Sequence, residues 1–272
     1  MGNTTRPPFR SMRDGGMPVA LARSLESELV KAFGRGEIEV LFQAQFSCAD
    51  GAMLGAEALA RWQHPTLGEI GARDLFHIAE RAQLVAPLSR HVVAQALAQA
   101  KEWPRHLHLS LNVTPEEMAT HEFAREFASL IGRSSLSPAR LILEITEDVL
   151  LGDLAMAADA LGALRKTGMR VALDDFGAGF CNFHYIKMLP LDALKLDRVM
   201  VTGICDDPRD LAVLRAIITM ARALGLDVVA EGIETEAQRE LITAEGCTYW
   251  QGFLRAEPMR SEAMMRLVDN AA

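Results

Sequence analysis

From about residue 73 onward the chain alternates helical and strand patterns with a regularity that leaves few folds open. Apolar residues recur at helical spacing near Arg73–Gln83, Pro87–Glu102, Pro115–Ile131, Leu154–Thr167, Phe180–Met188, Asp210–Leu224 and Glu236–Glu245. Between these lie short apolar runs at Leu107–Leu111, Leu141–Ile145, Val171–Leu173, Ala193–Leu196, Val228–Ala230 and Thr248–Gly252. Runs this short that alternate with helices read as buried parallel strands joined by helical crossovers. Pro115, Pro138, Pro190 and Pro208 fall at the junctions, where breakers belong. Upstream, Leu21–Phe33 carries a helical stripe that Gly34 and Gly36 stop. Glu39–Phe46 and Met53–Trp62 then read as two strands joined through Asp50-Gly51, an antiparallel hairpin. Two strands plus six make eight, so the expected fold is α/β: a modified (β/α)8 TIM barrel with one antiparallel strand in its opening hairpin. An open doubly wound sheet is the alternative, but the glycine fingerprint expected after its first strand is missing.

The chain has 272 residues, half of them hydrophobic, enough for one sizeable core. The expected organisation is a disordered tail or the remnant of a cut from a longer protein over residues 1–19, a linker helix over 20–38, and the barrel over 39–268. No uncharged apolar run of eighteen residues predicts a transmembrane helix, and the first residues lack the apolar centre of a secretory signal. Four scattered cysteines form no CxxC pair and read as reduced thiols, so a cytoplasmic protein, or the cytoplasmic part of a larger one, is expected. The seven histidines show no zinc-ligand spacing. With 28 Lys+Arg against 36 Asp+Glu the net charge is −8, which argues against duplex nucleic acid as a partner. The same charge would repel a phosphorylated substrate unless cations intervene.

What ends each strand carries the chemistry. Glu57 lies on the second strand and Asn112 closes the third; Glu144 and Asp174-Asp175 follow on the fourth and fifth. Lys195 lies on the sixth, Glu231 after the seventh and Gln251 on the eighth. A polar residue after a single strand is an ordinary exit to solvent. Acids, an amide and a lysine at nearly every strand end collect at one mouth, where barrel enzymes place their sites. Carboxylates gathered so closely must share protons or bind cations. Oxygen ligands of this kind suit Mg²⁺ or Mn²⁺ rather than zinc, and the adjacent Asp174 and Asp175 suggest two ions. Two such ions clamp a phosphoryl group for in-line attack by water, so metal-assisted phosphate ester hydrolysis is the expected chemistry.

The motifs themselves resemble the EAL-domain family of cyclic-di-GMP phosphodiesterases. The resemblance runs from about Leu41 to Pro258, through Glu57-Ala58-Leu59, LNVT around Asn112, LEITE at Leu143–Glu147 and LDDFGAGF at Leu173–Phe180. It continues with LKLD at Leu194–Asp197, AEGIE at Ala230–Glu234 and QGF at Gln251–Phe253. It implies one metal on Glu57, Asn112, Glu144 and Asp174, and a second on Asp174 and Asp175. It further implies Glu231 as general base or second-metal contact, Lys195 orienting the attacking water, Glu147 bracing the loop after Asp175, and Glu234 supporting the site. Gln43, Arg61 and Gln251 would hold the dinucleotide. The implied reaction opens one phosphodiester of cyclic di-GMP to linear pGpG with Mg²⁺ or Mn²⁺, Ca²⁺ being inhibitory. A homodimer is implied as well, and an upstream sensor or diguanylate-cyclase-like domain in a longer protein.

Departures from the family pattern are Gln43-Ala44-Gln45 where Gln-Pro-Ile is common, and Cys181 and Asn182 in place of two serines. Trp62 could stack on a guanine or be a buried barrel residue, and His64 and His184 are weaker candidates for substrate contact. Two other functions fit the same residues: a receptor that binds the dinucleotide without cleaving it, and an enolase-like barrel that abstracts a proton beside a carboxylate.

Overall fold

The computed structural model describes residues 19–148, 152–179 and 183–269, so the N-terminal tail, Phe180, Cys181 and Asn182 lie outside the described residues. Two compact units are distinguished. Among the described residues, one comprises those up to Leu41 with Leu59–Ala96; the other comprises Phe42–Ala58 with those from Leu97 onward.

The second unit carries the barrel. Its strands are the inner parts of β1 (Ile38–Ser47) and β2 (Met53–His64), followed by β4 (His108–Val113), β5 (Leu141–Thr146) and β6 (Arg170–Phe176). β7 (Ala193–Leu196), β8 (Asp227–Ala230) and β9 (Tyr249–Trp250) complete it. The order β1-β9-β8-β7-β6-β5-β4-β2, with β1 pairing β2 in turn, closes a ring of eight. Neighbours from β2–β4 to β8–β9 are parallel, while β1 meets β9 antiparallel through Phe46↔Trp250 and Ser47↔Tyr249. The expected barrel with its antiparallel opening strand is therefore the fold. Ser47 donates its backbone N–H to Ala52 across the hairpin turn, and Gly51 sits there at φ 70°, a left-handed value suited to glycine.

Register decides which side chains face inward. Pairings Glu57↔Ser110, Asn112↔Glu144, Thr146↔Asp174 and Lys195↔Val229, with alternation of period two, turn Glu57, Ser110, Asn112, Glu144, Asp174 and Lys195 toward the barrel interior. The opposite faces carry Leu109, Leu111, Leu143, Ile145, Leu173, Leu194 and Leu196, all buried against the helices. Around the ring run α4 (Pro115–Met118), α5 (Phe123–Ser134), α6 (Leu154–Arg165), α7 (Phe183–Met188), α8 (Arg198–Thr202), α9 (Pro208–Ala223), α10 (Glu236–Glu245) and α11 (Ser261–Asp269). Thr114 and Thr235 open α4 and α10 with reciprocal capping boxes, and Pro208 takes the first turn of α9, where its missing N–H costs nothing.

The other unit holds α1 (Val19–Arg35), β3 (Gly68–Ile70), α2 (Ala72–Arg81) and most of α3 (Val85–Ala100), with the outer parts of β1 and β2. β3 pairs antiparallel with Trp62–His64. Trp62 is buried and donates its indole N–H to Glu37, the structural alternative for this residue.

Three corrections concern elements. The helix expected over Pro115–Ile131 is two: the Thr120 hydroxyl donates to the Glu117 carbonyl as α4 ends, and the chain restarts at Phe123. β3 and α8, of three and five residues, are too short to show a period. α11 follows the last strand, beyond the end of the alternation that predicts the other helices.

Candidate active site

Lys195 on β7 is the centre of the site. Its side chain is 1% exposed, and its ammonium lies 2.7 Å from Glu144 Oε2, 2.8 Å from Glu231 Oε1, 3.0 Å from Asp174 Oδ1 and 3.4 Å from Glu57 Oε2. One cation thus faces four acids from β2, β5, β6 and the residue after β8. Two amides complete the inner ring: Asn112 donates to Glu57 Oε1 at 2.8 Å, and Gln251 donates to both Glu57 Oε2 (2.9 Å) and Glu231 Oε1 (2.8 Å).

Gln251 is held from its backbone. Its N–H donates to the Ala230 carbonyl, and its own carbonyl accepts from Ile233 N–H. A Cβ on the next residue, Gly252, would lie 2.1 Å from the Ile233 carbonyl oxygen, so only glycine allows β9 to approach this loop. Asp175 follows Asp174 in a left-handed conformation (φ 55°), an unusual state for a residue with a Cβ. That turn brings the second carboxylate back to the mouth, and the Asp175 N–H donates to Asp174 Oδ1 at 2.9 Å.

Burial and crowding set the protonation. Burial opposes the charge on Lys195, but Asp174, Glu144, Glu231 and Glu57 outweigh it and keep the ammonium well above the usual lysine range. Burial also raises Glu57, yet the Lys195 charge and the Gln251 and Asn112 amides hold its carboxyl below the ordinary value. Burial and the neighbouring Glu57 charge push Glu144 up to about 8, and burial raises Glu231 well above the carboxylate range despite Lys195. Withdrawal from water and the Asp174 charge bring Asp175 to about 6. Several acids surround one cation, so the cluster carries surplus negative charge that protons or metal ions must offset. Like charges about 4–5 Å apart repel by about 3–4 kcal/mol at an effective dielectric near 20.

Two groups of three carboxylates have ligand oxygens within 4.8 Å of one another: Glu57 with Glu144 and Asp174, and Asp174 with Asp175 and Glu231. They share Asp174. The strand-end acids read from the sequence are thus assembled, with Asn112 and Gln251 among them. Glu147 stands on the turn after β5, where Gly177 N–H donates to its carboxylate while its Oε1 is buried without a partner among the described residues. Burial raises its carboxyl above the usual range. Glu234 is exposed and pairs with Arg198 at 3.0 Å. Gln43 is half-buried on β1. Arg61, in the other unit, lies 3.4 Å from Glu69 and donates to the Ala60 carbonyl. His64 is buried there too, 2.9 Å from Glu28, with its Nδ1 accepting from the Thr66 and Leu67 amides. Two further inward polar residues, absent from the sequence-based set, join the site. Gln45 donates to Gln251 Oε1, and Ser110 donates to Gln45. Their signal is parity, since Gln45 shares a β1 face with Gln43 and Ser110 a β4 face with Asn112.

Fold and site together define a β/α barrel of the TIM kind with a carboxylate cluster around a buried lysine at the C-terminal ends of its strands. The chain belongs to the EAL domain family, whose model matches residues 26–258. A Pseudomonas aeruginosa protein named cyclic di-GMP phosphodiesterase PA2567 is 36% identical over 247 residues, covering 89% of this chain and 42% of that one. The structure described as the PaMucR phosphodiesterase in complex with c-di-GMP superposes with a TM-score of 0.84 at 33% identity, covering 89% of this chain and 99% of that one. A calcium and cyclic-di-GMP complex of Klebsiella pneumoniae BlrP1 superposes with a TM-score of 0.72 at 27% identity, covering 83% and 56%. The chain spans 30% to 42% of the length of the first three curated relatives it matches.

Proposed function

We propose that this chain is a cyclic-di-GMP phosphodiesterase that hydrolyses one phosphodiester bond to give linear pGpG with two divalent cations, Mg²⁺ or Mn²⁺. The carrying observation is the pair of three-carboxylate groups that share Asp174. Hard oxygen donors in this number suit such ions, and a shared carboxylate suits two of them side by side. Glu57, Asn112, Glu144 and Asp174 would hold the first ion, and Asp174 and Asp175 the second. Bound there, the ions would polarise the phosphodiester and lower the pKa of an attacking water. Once bound cations offset the cluster's negative charge and release its own proton, Glu231 would accept the proton of that water or contact the second ion, and Lys195 would keep the acids in register and orient the water with its ammonium. Glu147 holds the loop after Asp175 through Gly177, Glu234 supports the rim, and Gln43 and Gln251 hold the dinucleotide, a role the motif resemblance also gives to Arg61. The names of PA2567 and PaMucR support the substrate, and the BlrP1 complex supports a divalent-cation site in this family.

The longer relatives, among them the bifunctional diguanylate cyclase/cyclic di-GMP phosphodiesterase MucR of Pseudomonas aeruginosa, support a place for this chain beside other domains. The proposed homodimer and cytoplasmic setting rest on the sequence alone, the first on the resemblance of its motifs and the second on its scattered cysteines. Among the described residues no helix is long and apolar enough to cross a membrane. Chromatography of cyclic di-GMP incubated with Mg²⁺, Mn²⁺ and Ca²⁺ in parallel tests the reading. Product pGpG with the first two ions and its suppression by Ca²⁺ are expected. Glu57→Ala should abolish turnover. Tight binding of cyclic di-GMP with no product over hours would replace the enzyme with a receptor.

A further inference from the structure

Gln45 is a buried polar residue at a position where the resemblance leads one to expect isoleucine. It is 8% exposed and faces the barrel interior from β1, the antiparallel strand. A buried amide is tolerated only when its donors and acceptor are engaged. Its Nε2 donates to Gln251 Oε1 at 3.0 Å, and its Oε1 accepts from the Ser110 hydroxyl at 3.5 Å. Gln251 in turn presents Nε2 to Glu57 and Glu231.

The directions of these bonds follow from chemistry. Glu57, held ionised by Lys195 and the two amides, can only accept, so Gln251 must turn its NH2 toward Glu57 Oε2, which also aims that NH2 at Glu231 Oε1, and its carbonyl away from them. The carbonyl then needs a donor, which the NH2 of Gln45 supplies, leaving the Gln45 carbonyl to the Ser110 hydroxyl. With an apolar residue at 45, Gln251 loses the bond that opposes a flip. The flipped amide would aim its carbonyl oxygen at Glu57 and Glu231, oxygen against oxygen. Such a flip exchanges an NH2 for an oxygen of nearly the same size, so packing alone does not oppose it.

We propose that Gln45 is a positioning residue, which fixes the Gln251 amide and through it the paired orientation of Glu57 and Glu231. Its kinetic consequence rests on the diesterase reading; its structural consequence does not.

The test uses Gln45→Leu and, in case that change disturbs folding, Gln45→Glu, which keeps the length but offers Gln251 no N–H when ionised. In metal-free protein, the side-chain NH2 resonances of Gln251 are followed by ¹⁵N NMR. Both variants should shift or broaden them, while Asn112, which donates to Glu57 from β4, serves as the reference. Unchanged Gln251 resonances would overturn the proposal. In the same proteins Mn²⁺ binding is measured by calorimetry in the presence or absence of Gln251→Ala. Loss of a positioning bond behind a ligand typically weakens metal binding about tenfold or more. That loss is expected from Gln45→Leu alone, and less than about twofold once Gln251 is alanine, because the two changes act through one bond. An equal loss in both backgrounds would mean that Gln45 acts on the core generally, and would overturn the proposal. Wild-type protein that binds no Mn²⁺ and makes no pGpG would sink the diesterase reading, while the resonances still decide the role of Gln45.

Discussion

At the scale of single residues, Lys195 is the most consequential side chain. Its ammonium is the one cation that the described residues place among the four inner acids, so Lys195→Met would leave buried carboxylates without a partner. Removing one member of a buried ion pair typically costs about 3–5 kcal/mol. Thermal melts in chelator should therefore show a marked fall in Tm for Lys195→Met, and saturating Mn²⁺ should recover most of it, since the ion supplies the missing charge. A Tm that metal leaves unmoved would contradict the assignment of these acids as ligands. Glu57, Glu144, Asp174, Asp175 and Glu231 were legible in the sequence, because strand ends in a barrel share a mouth. That Lys195 shares this mouth was legible too; that its ammonium meets four of the acids at once was not. Which side chains meet across a barrel depends on the register of strands distant in sequence, and periodicity does not carry that information. Gln45 was visible only as a departure from a family pattern, since its partner Gln251 lies 206 residues away.

At the scale of elements, close approaches of backbone set where the site can be built. Gly55 on β2 faces β4 so closely that a Cβ would lie 2.4 Å from the His108 carbonyl oxygen, and Gly252 meets Ile233 in the same way. Backbone on both sides cannot yield as a flexible side chain can. Gly55→Ala and Gly252→Ala should each destabilise the protein by at least about 2 kcal/mol in chemical denaturation. Gly252→Ala should also reduce turnover, because Gln251 moves with its neighbour, whereas Gly34→Ala, with nothing within 4 Å of the added methyl, should do neither. The long strands and helices were readable from their periods, and the opening hairpin from Asp50-Gly51. β3, α8 and the split between α4 and α5 were not, because three to five residues cannot display a repeat and a local hydroxyl–carbonyl bond can end a helix that the apolar pattern would continue.

At the scale of the whole molecule, the acid cluster links stability to pH and to metal. Glu144 is raised to about 8 in the fold against an ordinary value of 4.5. Between those values the folded chain binds more protons than the unfolded one, so without metal this group's contribution is full below about 4.5 and is lost as pH rises toward 8. His108, whose imidazole burial holds below the usual range, acts oppositely: its contribution is present above the ordinary histidine value and is lost as pH falls. Melts in chelator should therefore show Tm declining between about pH 7 and 8, where the His108 contribution no longer changes. Excess Mg²⁺ or Mn²⁺ should reverse that slope, because metal binds the deprotonated cluster. A slope indifferent to metal would argue against ions at the mouth. The net charge of −8 and its partial concentration at one mouth could be read from the sequence, but the arrangement of four of those acids around one lysine became visible only in the fold.

The closure of the eight strands has a consequence for assembly. A sheet that returns on itself spends its backbone N–H and C=O groups on neighbouring strands and presents no long open border on which another chain could lay a strand. The one appended strand, β3, is only three residues long. Among the described residues, the surfaces open to a neighbouring domain or second copy are therefore side chains on helices and loops. Contacts of that kind are set residue by residue, so point substitutions on those surfaces can retune which partners are recruited while leaving the barrel intact.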